Sequence, residues 1–288
     1  MKLRRFENVL EFYEQVEGYL LSNQLQNKLI LDTCSIFNQL PEGHGLHPLM
    51  ATVEEDNEIV AVAVKIPGQK LMLSKINNLD SLEFLIHHLD SRFEEIPGVI
   101  GIAREAEIFA QTWQLAKLDP SSLSVSQRRY KLQGQLRSYS LDAVNSVPEV
   151  KGYFRPGLQS DRSLLLKWFT GVLTDVWGYT REHMKGSIDA YIDRKAIYLW
   201  QDGNKPVSMA MAFVDPKTGG QIELIYTPPE MRKKGYSTAC LAALSQHLLK
   251  RGSHRCWILT DLRYPIANHV YEKIGYKPLC DWHDYSFL

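Results

Sequence analysis

The 288-residue sequence has no surplus of either charge: 33 Lys plus Arg face 33 Asp plus Glu. That removes the global basic field that drives binding to nucleic acid or to an anionic membrane. Cysteine is scarce. Cys34, Cys240, Cys256 and Cys280 include no Cys-x-x-Cys pair, and three of them sit in apolar stretches where a reduced thiol behaves as a small hydrophobe. A reducing compartment fits this usage, and no metal site is expected from it. No apolar run approaches the length of a membrane span. The N-terminus, Met1 to Glu7, lacks an uninterrupted apolar core and reads as the entry to a mixed polar helix, so cytoplasmic residence is expected. Both common phosphate loops are missing, Gly-x-x-x-x-Gly-Lys-Ser/Thr and a post-strand Gly-x-Gly-x-x-Gly. What remains is a globular α/β-type chain, long enough for two ordinary domains, with a small ligand as the expected partner.

Against those absences one stretch stands out. Gln221 to Thr227 is an apolar run that reads as a strand; Pro228-Pro229 ends it, and Arg232-Lys233-Lys234-Gly235-Tyr236-Ser237 forms a basic turn. A helix then follows on the spacing of Leu241, Leu244 and Leu248, with Gly252 just past its end, where a left-handed C-cap suits glycine. The helix N-terminus falls directly after Gly235. Its first N–H groups have no intrahelical acceptor and its dipole is positive there, so the turn is suited to an anion such as a pyrophosphate. Read without that context, the three cations are a solvated turn.

The remaining chain shows a repeated grammar. Phe6 to Asn38 reads as one or two amphipathic helices. His44 and His47 lie in a Gly-rich loop with no acidic or thiol partners, and are read as plain loop rather than metal ligands. Met50 to Val53 and Ile59 to Ile66 read as a hairpin, followed by a strand from Lys70, a helix from Leu79 to Phe93, a strand at Val99 to Ala103, a helix from Ala106 to Lys117 and a strand near Tyr130. The second half runs in the same order: helices over Gln159 to Trp177 and Arg181 to Asp193, the strand pair Ala196 to Trp200 and Pro206 to Val214, then Gln221 to Thr227, the helix, and a strand at Cys256. The offset between corresponding elements is roughly 150 positions, the mark of an old duplication. The expected organisation is two tandem α/β units with a mixed sheet: residues 1–139, a linker at 140–157 rich in Pro and Gly, and 158–288, ending in a last strand at Trp282 to Phe287. The counterpart of the basic turn in the first half, Ser74 to Leu79, has no glycine and one lysine, and its later helix carries Trp113 in place of a tyrosine. That half is read as degenerate, structural or substrate-shaping.

The basic turn resembles the Arg/Gln-x-x-Gly-x-Gly/Ala signature of the GCN5-related N-acetyltransferases (GNAT), departing from it only at Ser237. A second marker is Asn268-x-x-Tyr271 followed by Ile274-Gly275-Tyr276, similar to the segment in which an asparagine and a tyrosine face the cofactor. Together with Tyr226-Thr227-Pro228-Pro229-Glu230, these resemble a bacterial tandem-domain branch of that superfamily. The resemblance is specific over Ala196 to Leu288 and architectural before it; Tyr264-Pro265-Ile266-Ala267 departs from the branch's usual Asn-Pro-Thr-Ser. It implies acetyl-CoA as cosubstrate, held by Arg232, Lys233, Lys234, Gly235, Tyr236, Ser237 and Thr238 at the pyrophosphate, with Asn268 facing the cofactor. Backbone groups of Ile225, Tyr226 and Thr227 would serve the pantetheine arm. The acceptor implied is an amine of a small molecule or peptide.

Thioester aminolysis needs a base for the amine, polarisation of the carbonyl and a proton for the departing thiolate. Tyr271, a phenol with an unperturbed pKa of roughly 10, suits the last role; its bland alternative is a packed helix residue. Strand alternation places Glu223 with Ile225 and Thr227, where it either takes the amine proton or faces solvent. Cys240, near a helix N-terminus, is set aside as a nucleophile because its neighbours are apolar. The expected reaction is direct attack in a ternary complex. Two rivals stand beside it: an acetyl-CoA-binding sensor without catalysis, and transfer of another acyl or aminoacyl group.

Overall fold

The computed structural model describes residues 1–38, 45–90, 95–115, 129–172, 185–216 and 218–288. His44, Lys117, Trp177 and Arg181, and the expected end of one helix at Phe93, lie outside them. In chain order the elements are β1 (Lys2–Phe6), α1 (Val9–Ser22), α2 (Lys28–Phe37), β2 (Leu49–Glu55), β3 (Glu58–Lys65), β4 (Leu71–Leu73), α3 (Asp80–Asp90), β5 (Gly98–Ile102), α4 (Ala103–Leu115) and β6 (Tyr130–Leu141). They continue with β7 (Tyr153–Pro156), α5 (Arg162–Val172), α6 (Lys185–Asp193), β8 (Ile197–Asp202), β9 (Lys205–Asp215), β10 (Gly219–Tyr226), α7 (Tyr236–Lys250), β11 (Cys256–Asp261), α8 (Pro265–Ile274) and β12 (Lys277–Phe287). The chain divides into two compact units, 1–137 with 280–288, and 138–279.

In the first unit β1 to β4 form an antiparallel run, and β4 meets β5 in parallel, so the sheet is mixed. Residues 2–6, expected to lead into a helix, instead form an edge strand, pairing Lys2 with Glu54 through Phe6 with Met50. Helix α1 starts only at Val9, because the Asn8 carboxamide caps the N–H groups of Leu10 and Glu11 at 2.8 and 3.1 Å. Helices cover both faces of the sheet. On β3, Ala61 and Ala63 turn to the core under α3 and α4, while Val62 and Val64 turn to the one under α1 and α2. Burial on both faces is why this strand reads as an almost continuous apolar run.

The second unit repeats the arrangement. Strands β7, β8, β9 and β10 are antiparallel neighbours and β10 meets β11 in parallel. On β9, Met209 and Met211 face α5 and α6, whereas Ala210 and Ala212 face the core beneath α7 and α8.

Two boundaries differ from the sequence expectation. The last strand, expected to finish the second domain (158–288), joins the first unit: β12 pairs antiparallel with β5, Trp282 against Ile102 through Ser286 against Gly98. Gly98 permits that approach, since a Cβ there would stand 2.1 Å from the Tyr285 carbonyl oxygen. Tyr285 and Phe287 then pack into the first unit's core, and Trp113 stacks on Phe109 and Phe287 at 5.9 and 5.8 Å, a packing residue and no counterpart of a catalytic tyrosine. The expected linker, 140–157, is part of the second unit and contains the edge strand β7.

Candidate active site

The local conformation of β10 decides the site. Its ladder with β9 runs from Gly219 opposite Asp215 to Glu223 opposite Met211, then resumes with Tyr226 opposite Met209. One extra residue is therefore accommodated in β10, a bulge, and Leu224 takes the left-handed φ of 48° that it requires. The bulge reverses the alternation. Ile225 packs with the α7 and α8 core, and Thr227 shares a hydrogen bond of 2.9 Å with buried Ser208, while Leu224 and Tyr226 pack towards α5 and α6. Glu223, opposite Met211, lies on the α5 and α6 face. The expectation that Glu223, Ile225 and Thr227 share one face is thus corrected. The Glu223 carboxylate is half-buried and accepts a hydrogen bond from the Gln221 amide.

On its other side β10 pairs with β11 only at Gly220 with Cys256 and Gln221 with Trp257. Both strands continue beyond that point, to Tyr226 and Asp261, so the parallel pair splays into a wedge towards its C-terminal ends. That is where open α/β sheets place ligands. A single 3₁₀ turn, Pro229–Met231, leads from β10 into the basic turn. Lys233 (φ 62°) and Gly235 (φ 83°) are both left-handed, and Gly235 is the N-cap of α7, with no side chain of its own to cap the helix. A Cβ on Gly235 would meet Val150 Cγ2 at 2.9 Å. Arg232, Lys233 and Lys234 are exposed, and Ser237 and Thr238 are half-buried in the first turn of α7. The Arg232 guanidinium donates to the Thr227 carbonyl at 2.9 Å and lies 5.9 Å from the Tyr226 ring centre, which folds it back over the strand end. Tyr236 points elsewhere: its hydroxyl donates to Asp202 at 2.7 Å, and that carboxylate holds the phenol above its usual pKa.

Helix α8 flanks the wedge beyond β11. It opens with Pro265 in its first turn and closes on Gly275, left-handed at φ 111°, with the Tyr276 N–H returning to the Tyr271 carbonyl at 3.0 Å. Tyr271 is buried, its ring edge-on to Tyr139 and Tyr276 at 5.7 and 6.2 Å. Burial pushes its phenol above the ordinary 10.0; the Thr260 hydroxyl pulls the other way, and Tyr139 adds to the rise. The group is held protonated. One turn earlier, Asn268 donates to the Tyr264 carbonyl at 3.2 Å, which fixes the orientation of its amide, and its buried Oδ1 finds no donor among the described residues. A buried acceptor in that state calls for a ligand or water N–H or O–H. Cys240 is fully buried and its thiol is pushed up to about 12, against a nucleophilic role.

The first unit offers a different site at the corresponding place. A cavity of about 420 Å³ lies at the C-terminal ends of β4 and β5, lined by Lys75, Asn77, Asn78, Asp80, Arg104 and Glu105. Its two cations are matched by two carboxylates, and Lys75 is held by buried Glu105 at 2.5 Å. Neither the glycine turn nor the positive excess is present. Among the described residues, no group of three or more His, Cys, Asp and Glu is placed to hold a metal ion, and no helix is long and apolar enough to cross a membrane.

Sequence reasoning missed the residues that fasten the site: Asp202 on Tyr236, Gln221 on Glu223, Ser208 on Thr227 and Val150 beside Gly235. Each is distant in sequence or unremarkable in type; only Asp202, in an Asp-Gly turn, carried any local signal.

Residues 163–276 match the family profile described as the acetyltransferase (GNAT) family. Among solved structures, an acetyltransferase of the GNAT family from Colwellia psychrerythraea superposes with a TM-score of 0.61 at 13% identity, covering 100% of this chain and 99% of its own. A Drosophila protein gives 0.61 at 12% identity, with 99% and 98% covered. A GCN5-related N-acetyltransferase from Sphaerobacter thermophilus gives 0.60 at 11% identity, with 89% and 84% covered. At such identities the likeness is one of fold, and it spans both units. No functionally curated protein matches the sequence.

Proposed function

We propose that this chain, whose residues 163–276 match the acetyltransferase (GNAT) family profile, is an acetyl-CoA-dependent N-acetyltransferase whose second unit carries the chemistry. The observation that carries the reading is the wedge between β10 and β11, ending at the uncapped, cation-flanked N-terminus of α7. A pyrophosphate at that terminus would meet the backbone N–H groups of Tyr236, Ser237 and Thr238 and the side chains of Arg232, Lys233 and Lys234. The pantetheine arm would then run along β10 from Thr227 to Ile225, past the Asn268 amide oxygen.

With the cofactor so placed, the thioester comes to the mouth of the wedge. The acceptor amine, of a small molecule or a peptide, attacks the carbonyl carbon directly. Glu223 takes its proton, directly or through water, and Tyr271, held protonated by burial, delivers one to the departing sulfur. The Gln221 amide orients the Glu223 carboxylate. The test is release of free CoA from acetyl-CoA in the presence of polyamines, amino acids, aminoglycosides and peptide N-termini, alongside calorimetry with CoA. Release with one amine class supports the enzyme and names the acceptor. CoA binding with no release by any of them favours a sensor, and no CoA binding refutes the reading.

A further inference from the structure

The stretch 142–152, between β6 and β7, contains no helix or strand, yet it is fastened to the second unit at both ends. At its first end the Asn145 N–H donates to the Ile274 carbonyl at 2.8 Å, satisfying a group that the end of α8 leaves open. There a Cβ on Gly275 would stand 3.0 Å from Asn145 Cγ and 3.1 Å from the Ala143 carbonyl oxygen. Val144 and Val147 pack against the core that contains Tyr271, Ile274 and Tyr276. At the other end Val150 fills the side of Gly235 where a Cβ is missing, and the Lys151 carbonyl accepts from the Trp200 indole at 3.0 Å. Lys151 Nζ lies 3.7 Å from Asp202, the carboxylate that receives the Tyr236 hydroxyl at 2.7 Å.

One length of chain thus touches Gly275, which closes α8, and Gly235, which opens α7, and it reaches Tyr236 through Asp202. The α7 turn needs outside support, because its N-cap, Gly235, is left-handed and has no side chain with which to cap the helix. A glycine there loses more conformational freedom on ordering than any other residue. Val150 restricts it by contact, and the charge-assisted Tyr236–Asp202 hydrogen bond restricts its neighbour.

We propose that residues 142–152 form a strap whose two ends position separate parts of the site: Asn145 sets α8 and hence Tyr271, while Val150, with the Asp202–Tyr236 pair, sets the turn that receives the cofactor's phosphates. This rests on the acetyl-transfer reading. Asn145, Val150 and Asp202 are positioning residues, acting through Tyr271, Gly235 and Tyr236.

A merely structural strap would lower stability and function together, whereas this one separates binding from turnover. The experiment measures CoA affinity by calorimetry and free-thiol release from saturating acetyl-CoA with hydroxylamine as acceptor, on the full chain, with thermal unfolding as the control. Val150→Ala and Asp202→Asn should each weaken CoA binding about tenfold and leave the saturated rate near wild type, and Val150→Ile, which keeps the branch, should restore affinity. Asn145→Pro, which removes the N–H donor, should leave affinity within about twofold and slow the saturated rate about tenfold. Asn145→Ala, the safer variant for folding, should show a smaller effect in the same direction. Variants that change neither quantity, or that lose both in proportion to stability, overturn the strap while wild-type CoA binding stands. A wild-type chain that binds no CoA overturns both the strap and the acetyl-transfer reading.

Discussion

Replacing Tyr271 by Phe removes one hydroxyl and little else. The ring is 7% exposed and held edge-on by Tyr139 and Tyr276, contacts that phenylalanine retains. The substitution leaves the packed ring in place, so the variant should fold. If the phenol protonates the departing thiolate, its removal should slow the chemical step about a hundredfold to ten-thousandfold, or about 2.7–5.4 kcal/mol of barrier. CoA affinity should stay within about twofold, because no phosphate contact is touched. The pH dependence has a definite sign. The folded pKa is raised above 10.0, so the acid is present throughout neutral pH, and the wild-type rate should fall through this group only on the alkaline side. The same shift contributes stability that is fully present below the ordinary phenol pKa and is lost as pH rises through the folded one. Single-turnover release of free thiol from enzyme-bound acetyl-CoA is the required assay, since steady-state turnover limited by product release would hide the effect. A wild-type single-turnover rate in Tyr271→Phe would refute the general acid and return Tyr271 to packing.

Other outcomes follow from the same geometry. Gly235→Glu places a side chain where φ is 83° and a Cβ meets Val150 at 2.9 Å, and adds a negative charge to the phosphate site; CoA binding should vanish in calorimetry, and the wild type should bind one CoA per chain, two being a contradiction. Asp161 receives two hydrogen bonds from Arg155, at 2.6 and 2.9 Å, and one from the Leu158 N–H at 2.9 Å; Asp161→Asn should cost about 1.5–3 kcal/mol in chemical unfolding. The Arg155 hydrogen bonds outweigh burial and hold that carboxyl below 3.8, so its contribution is present above the ordinary carboxylate range and is lost as pH falls through the lowered value; the acid limb of wild-type stability should flatten in Asp161→Asn. Gly171→Ala puts a methyl 2.6 Å from the Tyr226 hydroxyl oxygen, which should destabilise by about 1–3 kcal/mol through overpacking and be relieved in part by Tyr226→Phe, as melting temperatures would show.

Local chemistry made much of the second unit legible. The helix after Gly235 begins at Tyr236, and Gly252 is left-handed at φ 97° with the Ser253 N–H returning to the Leu248 carbonyl. These features depend on which residues tolerate positive φ and on a 3.6-residue apolar stripe, both readable within one turn of chain. The duplicated order of elements was visible for the same reason, since period and turn chemistry are properties of short windows.

The faces of β10, the partner of β12 and the fastening of residues 142–152 were decided only in three dimensions. Alternation assigns faces correctly only while a ladder stays regular, and the extra residue at Leu224 moves Glu223 to the face opposite Ile225. Nothing near Leu224 signals this, because leucine rarely takes a left-handed φ and does so here under the constraint of its neighbours. Strand β12 follows α8 in sequence, yet it pairs with β5 because a long-range edge and the bare backbone of Gly98 accept it. Val150 and Asp202 are ordinary residues in ordinary segments. Their importance comes from lying beside Gly235 and Tyr236, a proximity that tertiary folding creates between positions no local pattern connects.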